Sequence, residues 1–159
     1  MTDQVDLILE QWDRERPDLD VSPMAVVGRL SRVARRFEER LAHTFAEHGL
    51  DAAGFDVLAT LRRTGSPFVL TPKDLAASSM VTSSATAQRL NRLESQGLVS
   101  RTPSTVDGRG KQVLLTDRGK DIVDGALSAH VQTEHELLQG LDSTERQILA
   151  SLLTKLDNS

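Results

Sequence analysis

Between Thr71 and Thr116 the spacing of the apolar residues changes twice, from a helical period to a strand period and back. Few folds accommodate that. Thr71-Pro72 places an N-cap before a proline at the first helical position, opening a short helix to about Ser78. Met80-Val81 then leads to Thr82, a cap for a helix over 83–96, and Gly97 stops that helix at C′. LVSRTPS reads as a strand, TVDGRG as a turn and KQVLLT as a returning strand, with Asp107-Gly108 as the hairpin signal. Thr116 caps the next helix. Two helices meeting at a tight turn, followed by a β-hairpin, make a helix-turn-helix with a wing.

The flanks are helical throughout. Val5, Ile8, Leu9 and Trp12 form one stripe over 3–14, and RERPDLDVSP breaks the helix with Pro17 and Pro23. From Ser22-Pro23, Met24, Val27, Leu30, Ala34, Phe37, Leu41 and Phe45 run along a long helix to Gly49. Its other faces carry Arg29, Arg32, Arg35, Arg36 and Arg40 with Glu38 and Glu39. Asp51 caps a helix bearing Phe55, Val57, Leu58 and Leu61. After Thr116, a helix of about six turns carries Ile122 to Leu138, and Asp142 starts a last one lined by Ile148, Leu149, Leu152, Leu153 and Leu156. A lone helix with as much apolar face as the one from Met24 to Phe45 needs a partner.

The reading is a mainly α fold: a winged helix-turn-helix with a small β-hairpin wing and a helical dimerisation scaffold. Residues 1–20 form an extra N-terminal helix and linker, 21–50 a dimerisation helix, 51–119 the DNA-binding lobe and 120–159 the C-terminal dimerisation helices. With 159 residues and no cysteine, disulfides, thiolate metal sites and cysteine catalysis are excluded. No apolar run is long enough to span a membrane, and the start lacks a signal layout; a cytoplasmic location is expected. The net charge of −4 is unevenly spread. Residues 51–119 carry +3, against −3 before them and −4 after them, which places the basic surface on the winged lobe.

The second motif helix has two faces. Thr86, Leu90, Leu93 and Gly97 share one; Ser84, Gln88, Asn91, Arg92 and Ser95 share the other. A groove-reading helix needs this division, one side held and one polar. The expected DNA contacts are Lys73 in the first motif helix, Thr82, Ser83, Ser84 and Thr86 at the start of the second, and Gln88 and Arg92 farther along it. Gln88 can pair bidentately with adenine, and Arg92 can reach guanine or phosphate. At the wing, Asp107, Arg109 and Lys111 form a charged tip suited to a narrow minor groove, with Asp107 able to orient Arg109. A solvated helix face and an exposed turn carry such residues too.

These residues resemble the MarR family of winged-helix regulators. The likeness rests on Leu75-Ala76, on RLNRLESQGLVSR (89–101) and on DGRGKQVLLTDRG (107–119), and extends over 24–156. It implies a homodimer acting on a pseudo-palindromic double-stranded operator. Within the family the chain is similar to the urate-responsive subgroup, with Trp12, Asp56, Arg89 and Arg101 at matching places. That resemblance implies a small anionic aromatic effector, such as urate, that lowers DNA affinity. Each of the four also has a structural reading: Trp12 as packing, Asp56 as a solvated side chain, Arg89 as a phosphate contact, Arg101 as a strand-edge charge.

Other classes remain on the page. An enzyme lacks support, since no HExxH, Gly-x-Ser-x-Gly or phosphate loop is present; His130 and Glu134 at i, i+4 make either a metal pair or a surface salt contact. No cofactor is expected. A MarR-type regulator answering another phenolic or drug-like ligand, or an architectural DNA-binding protein, are the competing readings.

Overall fold

The structure is a computed structural model that describes residues 2–78, 86–103 and 111–158, with Thr86 by its backbone alone. It divides into two compact units, residues 1–40 and 41–159.

In the first unit, α1 (Gln4–Glu15) is followed by α2 (Pro23–Glu47), whose last turns belong to the second unit. Asp3 caps α1, accepting from the Val5 and Asp6 amides at 2.8 and 3.0 Å. Asp6 returns the bond to the Asp3 amide at 2.9 Å, completing a capping box. Both carboxylates also receive Arg29 of α2, at 2.9 and 2.6 Å. The cap amides, and after them Arg29, hold both acids below the usual carboxylate range. Val5 packs on Gly28 within this bracket. Pro23 is the first residue of α2, the position where its missing N–H costs nothing.

The second unit continues with α3 (Ala52–Arg63), β1 (Val69–Leu70), α4 (Pro72–Ser78), α5 (Thr86–Ser95), β2 (Val99–Pro103), β3 (Lys111–Leu115), α6 (Asp117–Leu137) and α7 (Ser143–Asp157). The strands form an antiparallel sheet in the order β1-β3-β2. Val99 faces Leu115 and Pro103 faces Lys111, so β2 and β3 are the two arms of the expected wing. Strand β1 was not expected from the sequence. It is two residues long, too short for an alternation to show, and it is recruited by β3: Val69 faces Leu114, and the Leu115 amide donates to the Phe68 carbonyl at 3.1 Å.

Leu58, Leu61, Leu75, Val99, Val113 and Val123 are fully buried and bring α3, α4, the sheet and α6 into one core. At its edge Phe45, Phe55 and His130 stack, with centroids 4.4 to 5.4 Å apart. Polar ties add to it, two between helices and one within α6. Thr44 and Thr133 share a buried hydroxyl bond of 2.8 Å, Arg62 pairs with Asp124 at 2.7 Å, and His130 Nε2 meets Glu134 at 3.1 Å. His130 is therefore part of the aromatic cluster, and its Nδ1 is buried without a hydrogen-bond partner among the described residues. The sequence reading as a surface salt contact holds only for the Glu134 side.

The corner from sheet to α6 fixes the wing's base. Thr116 caps α6, accepting from the Gly119 amide at 3.0 Å while its hydroxyl donates to the Gly97 carbonyl at 2.7 Å. A Cβ on Gly119 would stand 2.0 Å from the Leu98 carbonyl oxygen, so that corner admits glycine alone. Helix α7 starts at the Asp142–Glu145 capping box, as its sequence indicated, and buries no residue. Among the described residues no helix is long and apolar enough to cross a membrane.

Candidate nucleic-acid interface

Helix α5 is held by apolar contacts on one side and by charge on two others. Leu90 and Leu93 are each 3% exposed and join the core. Gly97, at φ 70°, ends the helix in the left-handed region: the Leu98 amide bonds back to Leu93 and the Gly97 amide to Glu94, both at 2.9 Å. That closure turns the chain directly into β2.

The opposite side of α5 is polar and open. Gln88, Asn91, Arg92 and Ser95 are all exposed, as the face division in the sequence required. Three of them are already engaged within the lobe, Asn91 by accepting from Arg101 of the following strand. Ser95 donates its hydroxyl to the Arg92 carbonyl at 2.7 Å, so its donor is spent on the helix. Arg92 Nη1 donates to Asp51 Oδ2 at 2.9 Å, a pair that links α5 to the start of α3.

Arg101 forms the second charged tie. From β2 it meets Glu94 Oε2 through Nε at 3.1 Å, its backbone amide donates to Glu94 Oε1 at 3.1 Å, and Nη2 donates to Asn91. The Nε–Glu94 contact is an ion pair without hydrogen-bond alignment, since Nε is buried with no aligned acceptor among the described residues. Arg101 thus joins the wing's first strand to α5.

Arg89 lies between the two faces, half-buried. With Arg92, Leu93 and Gln96 of the α5 side and Gly49, Leu50, Asp51 and Gly54 of the α3 side it lines a shallow depression. The space within it, about 10 Å³, is of the order of one water. Asp56 is half-buried on α3 and Trp12 is 43% exposed in the first unit; neither they nor Arg101 line this depression. Lys73 on α4 and Lys111 at the start of β3 are exposed. Thr82, Ser83, Ser84, Asp107 and Arg109, and the side chain of Thr86, lie outside the described residues. Among the described residues no three His, Asp or Glu side chains gather as a metal site.

Sequence reasoning missed Asp51 and Glu94 as partners of this helix. Glu94 and Arg101 are seven residues apart on opposite sides of a chain reversal, and Asp51 lies 41 residues before Arg92. The Gly97 stop signalled the reversal; nothing in the sequence signalled the second pair.

The MarR family model matches residues 48–110, the stretch from α3 to the wing. The transcriptional regulator PecS of Dickeya dadantii is 38% identical over 154 residues, covering 97% of this chain and 93% of PecS. The chain belongs to the MarR family. It is a DNA-binding transcriptional regulator and not an enzyme. Its winged-helix fold is likewise similar to that of a mutant MarR from E. coli complexed with operator DNA, with a TM-score of 0.73 and 27% identity, covering 91% of this chain and 96% of that one. BpsR of Bordetella bronchiseptica, whose DNA binding is regulated by 6-hydroxynicotinic acid, gives a TM-score of 0.75 at 25% identity, over 84% of this chain and 94% of BpsR. The MarR fold accounts for what the lobe displays: α5 ahead of the hairpin, β2 and β3 as the wing arms, and β1 as the third strand of the sheet.

Proposed function

We propose that this MarR-family regulator is a homodimeric repressor that reads a pseudo-palindromic operator through α5 and releases it when a small anionic aromatic effector, urate in the first instance, is bound. The observation that carries the DNA part is the division of α5. Leu90 and Leu93 anchor it, while Gln88, Asn91 and Arg92 stand in solvent on the other side. Phosphate contacts from Lys73, Lys111 and the wing set the register, and base contacts from the start of the helix through Gln88 set the sequence. Thr82, Ser83, Ser84, Thr86, Asp107 and Arg109 belong to the same proposed contact set.

The twofold arrangement is supported by apolar rows left uncovered in each unit. On α7, Ile148, Leu149, Leu152, Leu153 and Leu156 are 39 to 56% exposed, and Met24, Val27 and Leu30 of α2 are similarly open. A second copy covering them would set two recognition helices in successive major grooves, roughly 34 Å apart.

The effector reading is supported by Arg89, a half-buried cation on α5 that stands beside the start of α3. An anion drawing on Arg89, with Asp56 and Arg101 as the other residues proposed in the second unit, would bias the position of α5. It shifts DNA binding only by its differential affinity for the bound and free arrangements. The regulation of BpsR by 6-hydroxynicotinic acid shows that a relative answers a compound of this class. Trp12 is the only tryptophan, so its fluorescence reports whether the indole takes part.

A mobility shift on the promoter region of its own gene, with and without urate, tests both halves: a retarded complex dissolved by urate is expected. A complex that urate leaves intact but a phenolic ligand dissolves would transfer the effector reading to that ligand. Equal retardation of random duplex would favour the architectural reading. Calorimetry with urate on wild type and Arg89→Ala tests the pocket; equal binding by both would remove Arg89 from it.

A further inference from the structure

We propose that Asp51 is a positioning residue: it presents the Arg92 guanidinium to a DNA phosphate at the C-terminal end of the recognition helix. This rests on the reading of α5 as the helix that enters the groove.

The two oxygens of Asp51 do different things. Oδ1 accepts from the Gly54 amide at 2.7 Å and caps α3. Oδ2 accepts from Arg92 Nη1 at 2.9 Å. The cap bond ties the carboxylate to the start of a 12-residue helix, so Arg92 is held by a fixed anchor. Gly54 allows the close approach. A Cβ there would stand 3.0 Å from Asp51 Oδ1 and 3.6 Å from the Leu93 side chain, where the first turn of α3 meets α5. The anchor and the helix it serves are thus packed against each other by the same residue.

Arg92 gives Asp51 one of the five donors of its guanidinium. The remaining donors are uncommitted among the described residues, on a side chain 60% exposed. The pair is too exposed to stabilise the fold by more than about 0–1 kcal/mol. Orientation is the larger effect, because a free arginine must lose several rotamers when it grips a phosphate, and a held one has lost them already. Arg92 sits in the last turn of α5. Base reading comes from the other end of such a helix, so a guanidinium here meets backbone phosphate.

The alternative role, a carboxylate competing with phosphate for Arg92, predicts the opposite sign. Full-length wild type, Asp51→Asn, Arg92→Ala and the double variant are titrated by fluorescence anisotropy at several salt concentrations, on the promoter fragment and on a random duplex. Asparagine also caps helices, so Asp51→Asn keeps the start of α3. Expected is a loss for Arg92→Ala of the same factor on both duplexes, with the salt slope lower by about one per protomer. Asp51→Asn loses about two- to tenfold on both. The double variant is no weaker than Arg92→Ala alone, which places the two residues in one action. Tighter binding by Asp51→Asn, additive losses in the double variant, or a loss by Arg92→Ala confined to the promoter fragment would each overturn the proposal. Wild type failing to bind any duplex would instead remove the recognition-helix reading itself.

Discussion

Gly119 and the pair of acids at the chain's start show how much single side chains decide. A methyl group at Gly119 would meet the Leu98 carbonyl at 2.0 Å and the Leu115 side chain at 2.9 Å, and both belong to the joint that orients the wing. Gly119→Ala should therefore cost about 3 kcal/mol or more, read as a lowered urea midpoint; an unchanged midpoint would mean that the corner relaxes freely. Asp3 and Asp6 give a pH prediction. Their carboxyl groups titrate lower in the folded chain than the ordinary value of 3.8, because cap amides and then Arg29 favour the charged form. Stability from a lowered acid is present above its unfolded pKa and is lost as pH falls through the folded one. Protection of the α1 amides, taken against the intrinsic exchange rate at each pH, should hold down to about pH 4 and fall below 3.8. In Arg29→Ala it should already be lower at neutral pH. Loosening of α1 between pH 5 and 6 would contradict this assignment.

At the scale of elements, α5 is a short rod fixed by Leu90 and Leu93 beneath and by Asp51 and Arg101 to the sides. Arg101 separates two accounts of the site. As a strut between β2 and α5, its loss leaves Glu94 and Asn91 without their partner, and Arg101→Ala should destabilise the lobe by about 1–3 kcal/mol. As an effector contact alone, it would change urate affinity in calorimetry and leave the thermal midpoint unmoved. What the sequence disclosed follows the range of the forces involved. Thr71-Pro72, Gly97, Thr116 and Asp142 act within a few residues, so the starts of α4, α6 and α7 and the end of α5 were legible. Strand β1 was not, because two residues carry no period and the strand exists only through its pairing with β3. The anchors of α5 were hidden for the same reason: Asp51 was legible as a cap, but its second oxygen serves a residue that only the fold brings near. The candidate effector set was drawn from resemblance, and of its four members only Arg89 lines the depression beside α5.

For the whole molecule the question is what covers the apolar rows. Helix α7 buries nothing within its own chain, and its leucines face water at a cost that a soluble monomer has no reason to bear. On the proposed dimer, sedimentation velocity at micromolar concentration should give a dimer for wild type and a monomer for Leu152→Glu; a dimer for both would take α7 out of the interface. Charge is apportioned to match, with the excess of cations confined to 51–119 and the flanking segments acidic, so that the acidic total is compatible with a basic reading head. The claim on which all of this depends is that the exposed side of α5 reads bases. Gln88 tests it directly, since it is exposed, far from the core, and expected to pair with a base edge. Anisotropy titrations of wild type and Gln88→Ala on the promoter fragment and on random duplex decide the matter. The account predicts a loss of about tenfold or more on the promoter fragment with random-duplex affinity unchanged. Equal affinity of both proteins for the promoter fragment would contradict it.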